Sequence, residues 1–110
     1  MDNTDNLVDR YINYLLVEKG LAAKTIDAYS ADLSRYTTYL SANGAAGVSE
    51  KDTHLLLRYP IDLRDEGLNA RSRARHLVSI RGFYRFLVQE KFLPADPSAL
   101  IDLPKSGLRL

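Results

Sequence analysis

Arg71, Arg75, Arg81 and Arg85 stand as two pairs four residues apart, and with Arg73 they put five arginines and no acidic residue between positions 69 and 87. Guanidinium groups do no acid–base work near neutrality; they present a planar fork of donors to phosphate or carboxylate oxygens. Like charges at i and i+4 cost an isolated helix a few tenths of a kcal/mol per pair, and the first carboxylate to follow is Glu90. A polyanion along such a face would offset the repulsion. Lysine and arginine neutralise phosphates and release counterions, and an α-helix has the right width for a DNA major groove, where arginine also bonds guanine edges. Two plainer readings stand beside this one: a solvated face, or ion pairs with carboxylates elsewhere, such as Asp27, Asp32 or Asp62. Charge alone does not separate them.

For the arginines to act together a helix must hold them on one side. On a wheel at about 100° per residue with Leu77 at zero, Ala70, Leu77, Ile80, Tyr84, Leu87 and Val88 fall between about 280° and 20°, the expected core stripe. Arg71, Arg75 and Arg85 fall between about 80° and 160°, with Arg81 beside them at about 40° and Arg73 pointing elsewhere. Gly82, at about 140°, lies inside the arginine face and weakens the helix by roughly 1 kcal/mol relative to alanine. With Ser72, Ala74 and Ser79 nearby, it is expected to leave that surface low enough for another macromolecule's backbone to approach.

The rest of the chain reads as helices that would carry this one. Leu7, Val8, Tyr11, Ile12, Leu15 and Leu16 recur at helical spacing, with Gly20 placed to stop the run. Ile26, Tyr29, Leu33, Tyr36 and Leu40 step by three and four until Asn43 and Gly44 end the second helix. Ser49 as N-cap and Asp52 three residues on form an acidic capping box for a third helix, from about 50 to 65. Pro60 falls inside it and predicts a kink or a split into two shorter helices. Asn69 caps the fourth helix, about 70 to 90, and Asp96 with Pro97 predicts a short fifth. The expected fold class is therefore all-α, a bundle of four helices plus a short C-terminal helix.

Composition fits one compact domain, covering 1–102: 110 residues, 45% hydrophobic, 26% charged and no cysteine. The absence of cysteine excludes disulfides and fits a reducing, cytoplasmic setting. No apolar run approaches the roughly 20 residues that cross a bilayer, so no membrane partner is expected. The net charge of +1 conceals a polarised chain, net −4 over residues 1–68 and net +5 over 69–91. The tail "DLPKSGLRL" has a proline, a glycine and no periodicity, and 103–110 is expected to be a linker toward a further domain.

Three stretches in order, "YLLVEKGLAAKTIDAYSADLSRYTTYL" (14–40), "SRARHLVSIRGFYRFLVQEKF" (72–92) and "DPSALIDLPK" (96–105), resemble the N-terminal core-binding domain of tyrosine recombinases, most of all the Xer-type chromosome-dimer resolvases. Thr25, Tyr29, Asp32 and Leu33 match the family's second helix. Arg75, Leu77, Ile80, Arg81, Phe83, Tyr84 and Phe86 match its fourth, Asp96, Pro97 and Ser98 its final short helix, and Leu103, Pro104 and Lys105 the start of its interdomain linker. The resemblance implies a SAM-like helical domain forming half of a clamp around double-stranded DNA. Lys24 and Thr25 would approach phosphate at the start of helix two, with Tyr29 and Ser30 following, and Arg75 and Arg81 would contact DNA from helix four. Arg71, Ser72, Ser79, Gly82 and Arg85 join them as candidates on the same helix. Val78 departs from the family's small polar residue, and Ser30 and Ala31 from its frequent basic ones, so Arg71 and Arg85 are expected to compensate.

The family's nucleophilic tyrosine, with its arginines, lysine and histidines, belongs to a C-terminal catalytic domain that this chain does not contain. The seven tyrosines lie mostly on apolar stripes and are expected to pack in the core. His54 and His76 are expected at surface or boundary positions, with no metal or acid–base role. No glycine-rich phosphate loop occurs, and no metal or nucleotide cofactor is expected. The chain is thus expected to bind and not to catalyse. Its full-length parent would break and rejoin DNA through a phosphotyrosine, alongside further copies of itself or of a paralogous recombinase in a synaptic tetramer. A helical module whose arginine face meets an acidic protein partner remains the alternative, and a complete helix-turn-helix regulator is disfavoured because no compact pair of short helices with a tight turn is visible.

Overall fold

The computed structural model describes residues 4–99 and 101. Its regular structure is helical: α1 Thr4–Val17, α2 Ala23–Ala42, α3 Thr53–Asp65 and α4 Ala70–Gln89. The fold is all-α, as the patterning predicts. Packing divides the chain between Val48 and Ser49 into two compact units.

In the first unit α1 packs against α2. Leu7, Tyr11 and Leu15 are buried at four-residue spacing on α1, and Ile26, Leu33, Tyr36, Tyr39 and Leu40 on α2. Gly20 takes a positive φ of 62°, which lets the chain leave α1 and turn toward α2. At the other end of α2, Gly44 at φ 85° allows the amide of Ala45 to reach the Leu40 carbonyl at 3.0 Å, so that carbonyls with no partner inside the helix are satisfied. The Val48 amide then donates to Thr4 Oγ1 at 3.2 Å, tying the end of the unit to its beginning.

The second unit pairs α3 with α4. The amide of Ser49 donates to Asp52 Oδ2 at 2.8 Å, one half of the expected capping box. The helix itself begins only at Thr53, later than the sequence reading, because residues 50–52 form a turn in which the Asp52 amide reaches the Ser49 carbonyl. The buried Asp52 carboxylate also accepts a hydrogen bond from the Tyr84 hydroxyl at 2.7 Å, pinning the start of α3 to the middle of α4. Pro60 does not split α3, which runs through it as one helix. Asn69 caps α4 as predicted, its Oδ1 accepting from the Ser72 amide at 2.9 Å.

The expected fifth helix is absent from the described residues. Asp96 does act as a cap, accepting from the Ser98 amide at 2.8 Å and from the Ser98 hydroxyl, but residues 96–99 close as a turn through Ala99 N to Asp96 O, and Ile101 N reaches Ser98 O. Side-chain anchors hold that turn where a helix would otherwise propagate: Thr53 Oγ1 donates to the Pro97 carbonyl at 3.1 Å, and Pro97, Ser98 and Ile101 are buried. The expected linker, including Leu103, Pro104 and Lys105, and the expected domain end at residue 102 lie outside the described residues.

Candidate nucleic-acid interface

α4 is buried over about two-thirds of its circumference. Phe86, Ser79, Phe83, His76, Leu87, Ile80, Tyr84, Leu77 and Ala74 are buried and occupy the wheel from about 180° round to about 60°, a wider arc than the sequence stripe. The stripe was too narrow for a physical reason. Phe83 and Phe86, outside the stripe, are buried as well, and Ser79 and His76 enter the core although their polarity marks them for the surface; conversely Ala70 is exposed and Val88 half-buried. His76 is 4% exposed and meets Tyr59 edge-on at 6.5 Å between ring centroids, so the expectation of a surface or boundary position fails for it; His54 is exposed as expected. Five tyrosines, Tyr11, Tyr36, Tyr39, Tyr59 and Tyr84, are buried, and Tyr14 and Tyr29 half-buried.

The remaining arc carries Arg71, Arg75 and Arg85, with Arg81 at its edge. Arg71, Arg75 and Arg85 are exposed and Arg81 half-buried. Arg71 and Arg85 form no hydrogen bond or ion pair among the described residues of their own unit, so pairing with Asp62 does not account for them. Arg81 is partly engaged, its Nη1 donating to the Ile101 carbonyl at 3.4 Å. Arg73 points away from the group, as the wheel predicts, and its Nη1 donates to the Leu68 carbonyl at 2.6 Å, bracing the loop before α4.

Ser79 must be corrected. It has no exposed surface, and its hydroxyl donates to the His76 carbonyl at 2.9 Å within α4, so it cannot reach an external ligand. Ala74 is likewise fully buried, so of the four small residues expected to keep the arginine face low, Gly82 and Ser72, both half-buried, keep some exposed surface. Ser72 already has its amide occupied by the Asn69 cap.

In the first unit, Lys24 and Ser30 are exposed and Thr25 and Tyr29 half-buried at the start of α2. The N-cap position is Ala22, which supplies no side-chain acceptor. The opening amides of α2 therefore have no side-chain cap, and the helix dipole adds partial positive charge there. A concavity of about 440 Å³ in the same unit, lined by Thr4, Asp5, Thr37, Thr38 and Ser41 among others, has no basic residue in its wall and gathers none of these candidates.

Residues 8–91 match the family model described as phage integrase, N-terminal SAM-like domain. The chain belongs to that family. It is 33% identical over 106 residues to the tyrosine recombinase XerD of Staphylococcus aureus strain Mu50, and 34% identical over the same length to that of Staphylococcus saprophyticus. Each alignment covers 96% of this chain and 36% of the relative, so the SAM-like domain spans about a third of the length of these recombinases. No solved structure matches. The resemblance read from the sequence is thus correct at the level of family and fold class.

Two polar anchors of this SAM-like domain had no signal in the sequence. Asp52 reads as a helix-capping residue, and only the packing of α3 on α4 reveals that its carboxylate receives Tyr84, 32 positions away. Arg81 reads as one of four equivalent arginines, and only the placement of Ile101 after the 96–99 turn brings its carbonyl to it. Among the described residues no helix is long and apolar enough to cross a membrane, and no cluster of acidic and histidine side chains could hold a metal ion.

Proposed function

We propose that this SAM-like domain binds double-stranded DNA through the arginine face of α4, as the DNA-clamping part of a site-specific tyrosine recombinase acting in the cytoplasm. The observation that carries the reading is that Arg71 and Arg85 stand exposed, with no partner among the described residues, on a helix whose opposite half is buried. Each phosphate neutralised releases counterions, and an arginine in the major groove also finds guanine O6 and N7. Arg75 and Arg81 extend the face on either side, and the half-buried Gly82 keeps it low. At the start of α2, Lys24, Thr25, Tyr29, Ser30 and the uncapped amides form a second phosphate contact.

The domain holds and orients DNA; it does not cut. In the parent enzyme a tyrosine of a separate catalytic domain would attack the phosphodiester and form a covalent intermediate, with two or more recombinase subunits meeting at the synapse. The family match and the XerD relatives support this reading over an acidic protein partner.

An amide chemical-shift titration of the domain with a short duplex at low and moderate salt tests it. Shifts are expected at residues 24–30 and 71–85, weakening as salt rises. Shifts elsewhere, or none at millimolar duplex, would overturn the assignment of this face to DNA.

A further inference from the structure

We propose that Val78 is a specificity-determining residue that reads the 5-methyl group of thymine. The inference rests on the DNA-binding reading above. Val78 lies at about 100° on the helical wheel, the middle of the exposed arc, with Arg71 and Arg75 on its N-terminal side and Arg81 and Arg85 on its C-terminal side. It is half-buried and keeps some exposed surface, whereas Leu77, Ile80, Phe83, Tyr84, Phe86 and Leu87 of the same helix are buried. Core packing therefore accounts for those six side chains and leaves Val78 at the centre of a cationic surface.

The neighbour at i+4 keeps it open. A helical side chain leans toward the turn on its N-terminal side, so the residue that would cover Val78 is the one four positions later. That residue is Gly82, which has no side chain to lay over it. The mid-helix glycine, unfavourable for folding, thus leaves part of an apolar side chain uncovered between two pairs of arginines.

The chemistry of the ligand follows from what each side chain can distinguish. Arginines reach phosphates whatever the sequence, and in the major groove they select guanine. Thymine alone among the four bases presents a methyl group there, and an apolar side chain is what contacts it. Valine suits the task because its branched methyls are stiff at χ1, so little rotamer freedom is lost on contact. A serine at this position would offer a hydroxyl to hydrogen-bonding groups of several bases and little to the methyl.

The test uses the 110-residue chain and a fluorescent A·T-rich duplex of about 30 base pairs, long enough to offer several turns of groove, made once with thymine and once with deoxyuridine throughout. The wild type is expected to bind the thymine duplex about fourfold more tightly, the factor that burying a single methyl group produces. Val78→Ser is expected to bind both duplexes equally while keeping its salt dependence. Val78→Ala, with the better helix propensity, serves as second variant if serine loosens the helix. Equal wild-type affinity for the two duplexes, while Arg71→Glu still weakens both, overturns the thymine contact and leaves the DNA-binding reading intact. A thymine preference that survives in both Val78 variants also overturns it, because duplex shape or another residue would then make the distinction. Failure of the folded wild type to bind either duplex overturns both readings.

Discussion

Replacing Arg71 and Arg85 together by alanine separates a binding role from a folding role, because the two roles predict opposite changes in stability. Neither side chain has a partner among the described residues, so no ion pair is lost. Arg71 sits in the first turn of α4, at the positive end of the helix dipole, where a cation is unfavourable by about 0.3–1 kcal/mol. The substitutions also remove the repulsion of Arg71 with Arg75 and of Arg85 with Arg81, a few tenths of a kcal/mol each, and alanine is the best helix former. Lost contacts of the arginine stems offset part of this. The expected stability is unchanged or higher by up to about 1 kcal/mol, read from urea denaturation. Binding should respond in the other direction. Each phosphate contact contributes about 0.9 to the slope of log affinity against log salt, so the double variant should lose about 1.8 from that slope, measured by fluorescence anisotropy with a labelled duplex from 50 to 200 mM salt. An unchanged slope with a stability loss above about 1 kcal/mol would refute the reasoning: the arginines would then be structural, and the face would not be where phosphate binds.

Two further perturbations test the frame that presents this face. Tyr84→Phe keeps the buried ring but removes the hydroxyl that donates to Asp52, leaving a buried carboxylate short of one donor; a loss of about 1.5–3 kcal/mol in urea denaturation is expected, and a change below 0.5 kcal/mol would show the bond to be dispensable. Lys91 follows α4 with a positive φ of 64°, in a C-terminal cap where Phe92 N reaches Leu87 O at 2.8 Å and Lys91 N reaches Val88 O at 3.0 Å. A left-handed backbone costs a side-chain-bearing residue about 1–2 kcal/mol, and glycine gives back some of that through its freer unfolded state, so Lys91→Gly should raise the urea midpoint by the equivalent of about 0.5–1 kcal/mol.

Helix existence and the arginine face were legible in the sequence because both depend on spacing along one element. The pattern of Ile26, Leu33, Tyr36 and Leu40 survives into the buried face of α2, and the arc of Arg71, Arg75 and Arg85 survives into the exposed face of α4. What was not legible depends on contacts between elements. Ser79 has the size and polarity of a surface residue, and only the wide burial of α4, with the His76 carbonyl to accept a hydrogen bond from its hydroxyl, makes it a core residue. Asp96 and Pro97 carry a correct local signal for a helix start, and the cap forms; the anchoring of Pro97 by Thr53 and the burial of Ile101 fix the segment as a turn. Pro60 removes one donor from α3 without ending it. Leu55, Leu56, Tyr59 and Leu63 are buried on both sides of the proline, and their packing outweighs a single lost hydrogen bond.

The charges of α4 run against what folding alone would choose. Arg71 and Arg73 stand at the end where the helix is already positive, there is no basic residue in the last turn, and Glu90 occupies the C-cap, where the helix is already negative. Of the two first-turn arginines, Arg73 has a structural use, since it braces the Leu68 carbonyl; Arg71 has none among the described residues. The glycine at position 82 adds a second unfavourable choice on the same exposed arc. Features that weaken a helix and lie together on its solvent face, opposite a well-packed core, are expected where function rather than stability selects the residues. A polyanion reverses the sign of each: phosphate at the N-terminal end of α4 would meet Arg71 and the helix dipole together, and close approach at Gly82 would bring its backbone against the neighbouring arginines. On this helix, therefore, an arrangement unfavourable for folding alone would become favourable if DNA lay along it, as the proposed function requires.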